Sequence, residues 1–438
     1  MPAARAEPGV EEPPLPLQAS FTWSVSRYHD RDGNGFPDPA RTPEEAASAA
    51  PLTVSLDGCG STPGPQHIGD YIWNVAGTEL SRATCRISWV APGQGSYPVS
   101  LTVEGNDGRR QSVTELVVVR DLLVVSLGDS LGSGQGNPHV PTLRDLFGKQ
   151  LSPPVWEDTR CHRSEVAGSA QVARHIETSD PSTSVTFVHL ACSGAKVEDP
   201  KSREMGGLLD GYEGQDDAFK KEPLLPPQLE ELERIVGDRE IDLLLLSIGI
   251  NDVDFGGIVV NCITKRKCHE KGERRFVEAL DLLSDEGGQG GRYAALDAQL
   301  EQRFPELRRD PSRIFVNQYP DPTHVDGRVC PSMIAGTIDA EETAWAATVS
   351  PRLNERVRAA AGVHGWTLVD GVRERYLDNG ECAEHRLFVQ AHESLWNQSN
   401  PYGTLHPNGR GHAVLTEQFL LKTPARLAAI ASPPRIVV

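Results

Sequence analysis

The pattern of hydrophobic positions divides the chain at about Arg120. Before that point, short runs alternate apolar and polar residues, and turn residues such as Gly93, Gly95 and Asn106–Gly108 separate them. Such alternation predicts strands with one buried face, and a series of short strands of this kind is typical of a β-sandwich. We therefore predict a small all-β, immunoglobulin-like sandwich over residues 18–120. Its expected strands are FTWSVS, LTVSLDG, YIWNV, CRISWV, YPVSLTVEG and SVTELVVV.

From Asp121 onward, apolar runs alternate with stretches of helical periodicity. Strand and helix in regular succession predict a parallel, doubly wound sheet with helices on both faces. We therefore predict an α/β domain over residues 121–438, joined to the sandwich by a junction too short to be a flexible tether. The expected strands are LLVVSLG, VTFVHLA, IDLLLLSIG, RIFVNQYP and WTLVDGV, and the expected helices include SEVAGSAQVARHIE and PPQLEELERIVGD.

Charge and composition narrow the choice of partners. The 438 residues include 43 basic and 61 acidic side chains, a formal net charge of -18. This balance argues against nucleic acid or an anionic membrane as the main partner. No apolar run is long enough to span a bilayer. Residues 1–17 are rich in Pro and Glu and are predicted to form a disordered leader. We expect the protein to be a monomer.

Eight cysteines follow one another in pairs along the chain, and none forms a C-x-x-C motif. An even number without metal or redox spacing favours four disulfides, which form in oxidising compartments. We therefore expect a secreted, extracellular protein. Eight free thiols in a cytosolic enzyme are the alternative, because sequence alone does not prove connectivity. The expected pairs are Cys59–Cys85, Cys161–Cys192, Cys262–Cys268 and Cys330–Cys382.

Reactive residues follow three of the predicted strands, and a histidine lies near the C-terminus. Ser130 follows the first α/β strand, Gly194 the second and Asn251 the third, and His406 lies in LHPNGRGH. The carboxyl ends of parallel strands meet at one edge of a sheet, so we expect these residues to converge. A serine nucleophile, a histidine base and an oxyanion hole are what acyl transfer requires. The predicted oxyanion donors are the N–H groups of Ser130 and Gly194 and the side-chain amide of Asn251.

These motifs resemble the GDSL or SGNH hydrolases over Asp121 to about Leu421. Gly128-Asp129-Ser130-Leu131 is similar to the first block of that family, Gly194 in ACSGA to the second, Gly249-Ile250-Asn251-Asp252 to the third and His406 to the fifth. The resemblance implies a three-layer α/β/α sandwich and hydrolysis of carboxylic esters without a cofactor. The cysteine pairs resemble those of three-disulfide secreted lipases and esterases of actinobacteria, and about Pro51 to Arg120 resembles a PKD-type domain.

One position departs from the family pattern. Many members carry Asp three residues before the histidine, where this chain has Gly403. Members of the disulfide-bearing lipases use a main-chain oxygen in its place, so the resemblance implies a backbone carbonyl near Gly403 as the group that orients His406. Glu393 is the acidic alternative.

Other interpretations remain open for several residues. Ser130 also fits the G-x-S-x-G elbow of α/β-hydrolases, or a helix N-cap. Asp129 and Asp252 are expected to hold loops by accepting main-chain N–H bonds, and His412 to pack or form a hydrogen bond. The Asp30–Asp38 loop has calcium-type spacing, but Arg41 replaces the bidentate Glu, so calcium and a plain Asx-rich turn are both expectations.

The function also has alternatives. The same residues serve acyl transfer to an alcohol, and a polymer- or surface-binding protein with a degenerate hydrolase domain is the competing class. Lipid, acylated sugar and polyester all remain open as the ester substrate.

Overall fold

The structure is a computed structural model of the chain. It describes residues 16–26, 30–31, 33–47, 52–63, 67–81, 83–199, 206–214, 222–265, 267–284, 291–424 and 426–427.

The N-terminal part is β-rich, as predicted, and contains one short helix in addition to its strands. One antiparallel sheet has the order β2–β3–β7, and a second contains β6–β5–β8 and the first half of β9. Alternate residues of β8, among them Val99 and Leu101, are buried in the core between the sheets, where Trp73 is fully enclosed. The elements are β1 (Leu17–Gln18), β2 (Thr22–Val25), α1 (Pro43–Ala46), β3 (Leu52–Asp57), β4 (Thr62–Pro63), β5 (Ile68–Val75), β6 (Thr78–Ser81), β7 (Arg86–Ala91), β8 (Gly95–Gly105) and β9 (Arg110–Gly128).

Strand β9 belongs to both halves of the molecule. Its residues 110–119 pair antiparallel with β8, and its residues 120–128 pair parallel with later strands. Burial alternates along the first half and becomes continuous from Asp121 onward, as expected for a strand that moves from a one-sided sheet into a sheet covered on both faces. The chain therefore passes from one sheet to the other without a linker.

The C-terminal part is an α/β sandwich with a parallel sheet in the order β12–β9–β13–β14–β17, which confirms the predicted fold class. Helices α3, α11 and α13 pack together, and α4, α6, α7 and α10 form a second group. The elements are α2 (Ser130–Ser133), β10 (Leu143–Arg144), β11 (Gln150–Ser152), α3 (Gly168–Ser179), β12 (Thr183–His189), α4 (Gln228–Val236), β13 (Leu243–Ser247), α5 (Phe255–Thr264), α6 (Cys268–Leu283), α7 (Arg292–Arg303), α8 (Pro305–Arg309), β14 (Ile314–Asn317), β15 (His324–Val325), β16 (Arg328–Val329), α9 (Ala340–Ala346), α10 (Val349–His364), β17 (Thr367–Val369), α11 (Val372–Tyr376), α12 (Ala391–Gln398) and α13 (Gly409–Lys422).

A segment between β2 and β3 packs against the α/β part. Ala40 and Ala46 are buried in the α/β core, and the Ala40 N–H donates to the carbonyl of Phe187 at 2.7 Å. The side chain of Arg239 donates to the carbonyl of Ala46 at 2.8 Å. These contacts and the shared strand fix the two parts against each other.

All eight cysteines are paired, and the four disulfides are Cys59–Cys85, Cys161–Cys192, Cys262–Cys268 and Cys330–Cys382, as predicted. Among the helices in the described part of the chain, none is both long enough and apolar enough to cross a membrane.

Candidate active site

The main chain at the end of β9 can be formed only by glycine. Gly128 has φ +129°, and a Cβ placed there would lie 1.9 Å from the carbonyl oxygen of Ser247 on the neighbouring strand. The side-chain amide of Gln228 bonds both the N–H and the carbonyl of Gly128 at 2.8 Å. The strand therefore turns in a fixed direction immediately before Ser130.

Ser130 begins helix α2, and Asp129 is the residue that caps this helix. The Asp129 carboxylate accepts a hydrogen bond from the Leu131 N–H at 3.0 Å. The N-cap interpretation of Ser130 is therefore wrong, because its neighbour fills that position. The Ser130 hydroxyl instead lies 2.7 Å from Nε2 of His406, which is close enough for proton transfer.

Burial keeps His406 in its basic form. It lowers the pKa of His406 to about 4, while the main chain of Thr404 and Gly403 acts in the opposite direction. The imidazole is therefore neutral at pH 7, and its Nε2 can accept a proton from the serine. Leu405, with φ +64°, sets the turn that leads into this residue.

Neither predicted orienting group forms a hydrogen bond of ordinary geometry with Nδ1 of His406 in the described part of the chain. This nitrogen is buried, and the Gly403 carbonyl accepts the main-chain N–H of His406 at 3.1 Å. The carboxylate of Glu393 is bonded to the Gln390 N–H at the start of α12. A main-chain oxygen as the partner of Nδ1 stays a prediction, supported by the effect of Gly403 and Thr404 on the ring.

The predicted oxyanion donors lie on loops that are bonded to one another. The Asn251 side chain donates to the Ala195 carbonyl at 2.9 Å, beside Gly194, and the Cys192 N–H donates to the Gly128 carbonyl at 2.9 Å. Within the described chain, the N–H groups of Ser130 and Gly194 have no acceptor. Donors without a protein partner are what an oxyanion hole needs, so the arrangement is consistent with the predicted role.

Two buried carboxylates hold these loops. Asp252 accepts the Val197 N–H at 3.1 Å and pairs with Arg292 at 2.8 Å, and Asp129 also accepts the hydroxyl of Tyr319 at 2.5 Å. Burial raises the pKa of Asp129 to about 7 and that of Asp252 to about 6. Both carboxylates accept main-chain N–H bonds, as expected from the sequence.

A polar network beside Ser130 was not predicted. Gln135 donates its main-chain N–H to the Ser130 carbonyl at 3.1 Å, and its side-chain oxygen is bonded to Ser193 and, at 2.7 Å, to Nδ1 of His162. The His162 ring is near enough to lower the pKa of His406 further. One signal was available in the sequence. His162 directly follows Cys161, and Ser193 lies between Cys192 and Gly194.

The remaining predicted residues are away from the reacting atoms. Nδ1 of His412 accepts the Gly168 N–H at 3.2 Å, so this histidine forms a structural hydrogen bond, as expected. In the calcium-type loop, Asp32 lies outside the described residues, Asp30 accepts the Gly35 N–H at 3.1 Å and Asp38 pairs with Arg31. Among the described residues, no cluster of three metal-ligating side chains is present, and calcium there stays a prediction.

The family of the chain follows from the match over the α/β part. The model of the GDSL-like Lipase/Acylhydrolase family matches residues 126–414, which include Ser130, Gly194, Asn251 and His406. The chain belongs to this family. It is therefore a carboxylic ester hydrolase, and the order of the four motifs in this GDSL-like hydrolase agrees with the identification.

Solved structures that match parts of the chain include two enzymes and one isolated domain. Phospholipase A1 from Streptomyces albidoflavus NA297 is 19% identical, with a TM-score of 0.44, over 69% of this chain and 98% of that chain. The extracellular lipase from Streptomyces rimosus is 19% identical, with a TM-score of 0.43, over 70% and 99%. The PKD1 domain of a Vibrio cholerae metalloprotease is 18% identical, with a TM-score of 0.16, over 25% and 98%. No curated protein sequence matches the chain. These identities are too low to transfer a substrate to the GDSL-like hydrolase.

Proposed function

We propose that the GDSL-like hydrolase is a secreted serine esterase or lipase that acts through a Ser130–His406 dyad. The observation that carries the proposal is the 2.7 Å separation between Ser130 Oγ and Nε2 of a neutral, buried histidine. The four disulfides support secretion, because such bonds persist in oxidising compartments.

In the first half of the reaction, Ser130 Oγ attacks the ester carbonyl carbon and His406 Nε2 takes the hydroxyl proton. The negative charge that develops on the carbonyl oxygen is stabilised by the N–H groups of Ser130 and Gly194 and by the amide of Asn251. The C–O bond to the leaving alcohol then breaks, and His406 returns the proton to that alcohol.

In the second half, His406 accepts a proton from a water molecule that attacks the acyl group on Ser130. The carboxylic acid leaves, and the proton returns to Ser130 Oγ. A main-chain oxygen of the Gly403–Thr404 segment is the proposed partner of the imidazolium that forms in both halves.

Covalent labelling tests the dyad directly. A fluorophosphonate should modify Ser130 stoichiometrically, with the site read by peptide mass spectrometry, and Ser130→Ala should lower turnover of p-nitrophenyl acetate by about 10⁴-fold or more at an unchanged melting temperature. Ser133→Ala, one helical turn away, is the matched control and should still be labelled. Retained turnover in Ser130→Ala, or a label on another residue, would overturn the assignment.

A further inference from the structure

Exposed apolar side chains are concentrated on one hairpin and on the helix bonded to it. Strands β10 and β11 form a hairpin, Leu143–Ser152, whose turn presents Leu146 at 101% and Phe147 at 96% exposure. Val140 and Val155 extend the hairpin through a mutual β-bridge. Eight large apolar side chains are exposed in this patch, which we call the hairpin patch: Val140, Leu143, Leu146, Phe147, Leu151, Val155, Leu395 and Trp396.

The hairpin turn is held rigidly in its exposed conformation. The carboxylate of Asp145 accepts the N–H groups of Phe147 and Lys149, each at 2.9 Å. The Asp145 N–H donates to the Lys149 carbonyl at 2.9 Å, and Gly148 completes the turn with φ +81°. A preorganised turn loses little conformational entropy when it binds, which favours association.

The hairpin is also attached to the elements that carry the site. Thr142 donates its N–H to the Asn397 carbonyl at 2.7 Å, and Arg144 donates to the carbonyls of Leu395 and Trp396 while its guanidinium lies 5.3 Å from the Trp396 ring centre. Helix α12, which contains Trp396, is bonded in turn to Gly403 through Ser394 at 2.9 Å. A surface that contacts the hairpin patch is therefore held at a fixed position relative to Ser130 and His406.

We propose that the hairpin patch inserts into the surface of a neutral or zwitterionic lipid phase, and that the enzyme takes its ester from that phase. The inference rests on the proposed function, because it names where the ester of the Ser130–His406 site is presented. It also places the substrate among the esters of aggregated lipid.

The shape and charge of the patch favour this occupant. Two fully exposed side chains on a narrow, projecting turn suit a deformable apolar phase, whereas a protein interface needs a broad complementary surface of about 800 Å² per partner. Lys149 is exposed beside the apolar tip, the Arg144 guanidinium is bonded to α12, and the Asp145 carboxylate is occupied by the turn. With a net charge of -18, long-range attraction to an anionic surface is disfavoured, so burial of the tip must drive binding.

Vesicle binding tests the proposal with a polar double variant, Leu146→Ser with Phe147→Ser. Each of these side chains should contribute about 10-fold or more to partitioning when buried, so the double variant should bind phosphatidylcholine vesicles about 100-fold more weakly in a flotation assay. The assay uses a Ser130→Ala background so that the vesicles are not consumed. The control Leu282→Ser with Val363→Ser removes two exposed apolar side chains from α6 and α10 and should bind like the parent.

Activity and salt dependence separate the outcomes. In the active background, the double variant should keep its turnover of soluble p-nitrophenyl acetate and its melting temperature and lose turnover of vesicle-borne ester. Binding that is unchanged in the double variant, that requires anionic vesicles, or that is abolished by 1 M NaCl would overturn the proposal. Self-association of the parent chain that the double variant abolishes would identify a second copy as the occupant and would also overturn it. If the unmodified enzyme did not turn over soluble ester at all, the proposed dyad would be contradicted instead. Vesicle binding of the Ser130→Ala protein would still be measurable in that case.

Discussion

Two turns in the molecule use the same local bonding and have opposite surroundings. At Asp129 and at Asp145, a carboxylate oxygen accepts the N–H two residues further on, at 3.0 and 2.9 Å. The turn at Asp129 follows β9, an interior strand of a sheet covered by helices, and all of its residues are buried. The turn at Asp145 joins two strands of a two-stranded ribbon and leaves Leu146 and Phe147 exposed. The local bonding therefore fixes the conformation, and the packing of the flanking strands decides whether the turn presents a nucleophile or an apolar tip.

Glycine substitution should produce the largest difference between the two turns. Gly128→Ala should yield no folded protein, because its Cβ would lie 1.9 Å from a main-chain oxygen of the neighbouring strand and that strand cannot move. Gly148→Ala should fold and lose about 1 kcal/mol, since its only close neighbour is the edge of the Trp396 ring at 3.7 Å and the cost is that of a positive φ. Thermal melts and soluble yield measure both variants.

Equal losses of stability in the two glycine variants would contradict the comparison. That result would mean that the positive φ, and not the packing around β9, determines the need for glycine at both turns.

The sequence was informative where local chemistry and burial agree. The buried turn was found from its glycines, its serine and the apolar strand before it, and the four cysteine pairs follow their order along the chain. The alternation of apolar and polar residues ends at about Arg120, and for this reason two sheets were predicted with a short junction between them. The single continuous β9 was not predicted, because pattern alone does not show whether a strand bends between two sheets.

The sequence was uninformative where distant segments meet. Ala40 lies in a stretch rich in Pro and Asp, and nothing local indicates that it is buried in the α/β core. Leu146 and Phe147 are apolar, and apolar residues are by default expected inside, so the exposed tip was missed. The contact of Gln135 with Ser193 and His162 depends on loops whose paths the sequence does not specify.

The oxyanion position gives the next largest expected effect. Asn251→Ala should lower kcat by about 10² to 10³ with a smaller change in KM, because the amide acts mainly on charge that develops in the transition state. The loss should be equal on soluble and vesicle-borne esters, unlike the loss from the hairpin tip, which affects vesicle-borne ester alone. Steady-state kinetics on both substrates measure it.

The melting temperature of Asn251→Ala must be measured as well, because Asn251 also donates to the Ala195 carbonyl and its loss could destabilise the loop. A change confined to KM would make Asn251 a substrate-binding residue, and the oxyanion assignment would fail.

The pH dependence of activity is the smallest expected effect, and it reports the burial that distinguishes the first turn from the second. Burial lowers the pKa of His406 to about 4 from its ordinary value of 6.5. The neutral imidazole is the active form, so activity is lost as pH falls through the folded-state pKa. We expect kcat/KM for p-nitrophenyl acetate to keep its acid limb below pH 5 and to fall about tenfold per pH unit below about 4. Product is measured by chromatography, and circular dichroism at each pH confirms that the chain is folded. Asp129, with its pKa raised to about 7, ionises well above this limb, and Asp129→Asn removes that ionisation while keeping an acceptor for the Leu131 N–H. An acid limb near pH 6.5 in both the unmodified enzyme and Asp129→Asn would show that His406 is as exposed to water as the hairpin tip. A limb near pH 7 that disappears in Asp129→Asn would assign the titration to the Asp129 carboxylate and not to His406.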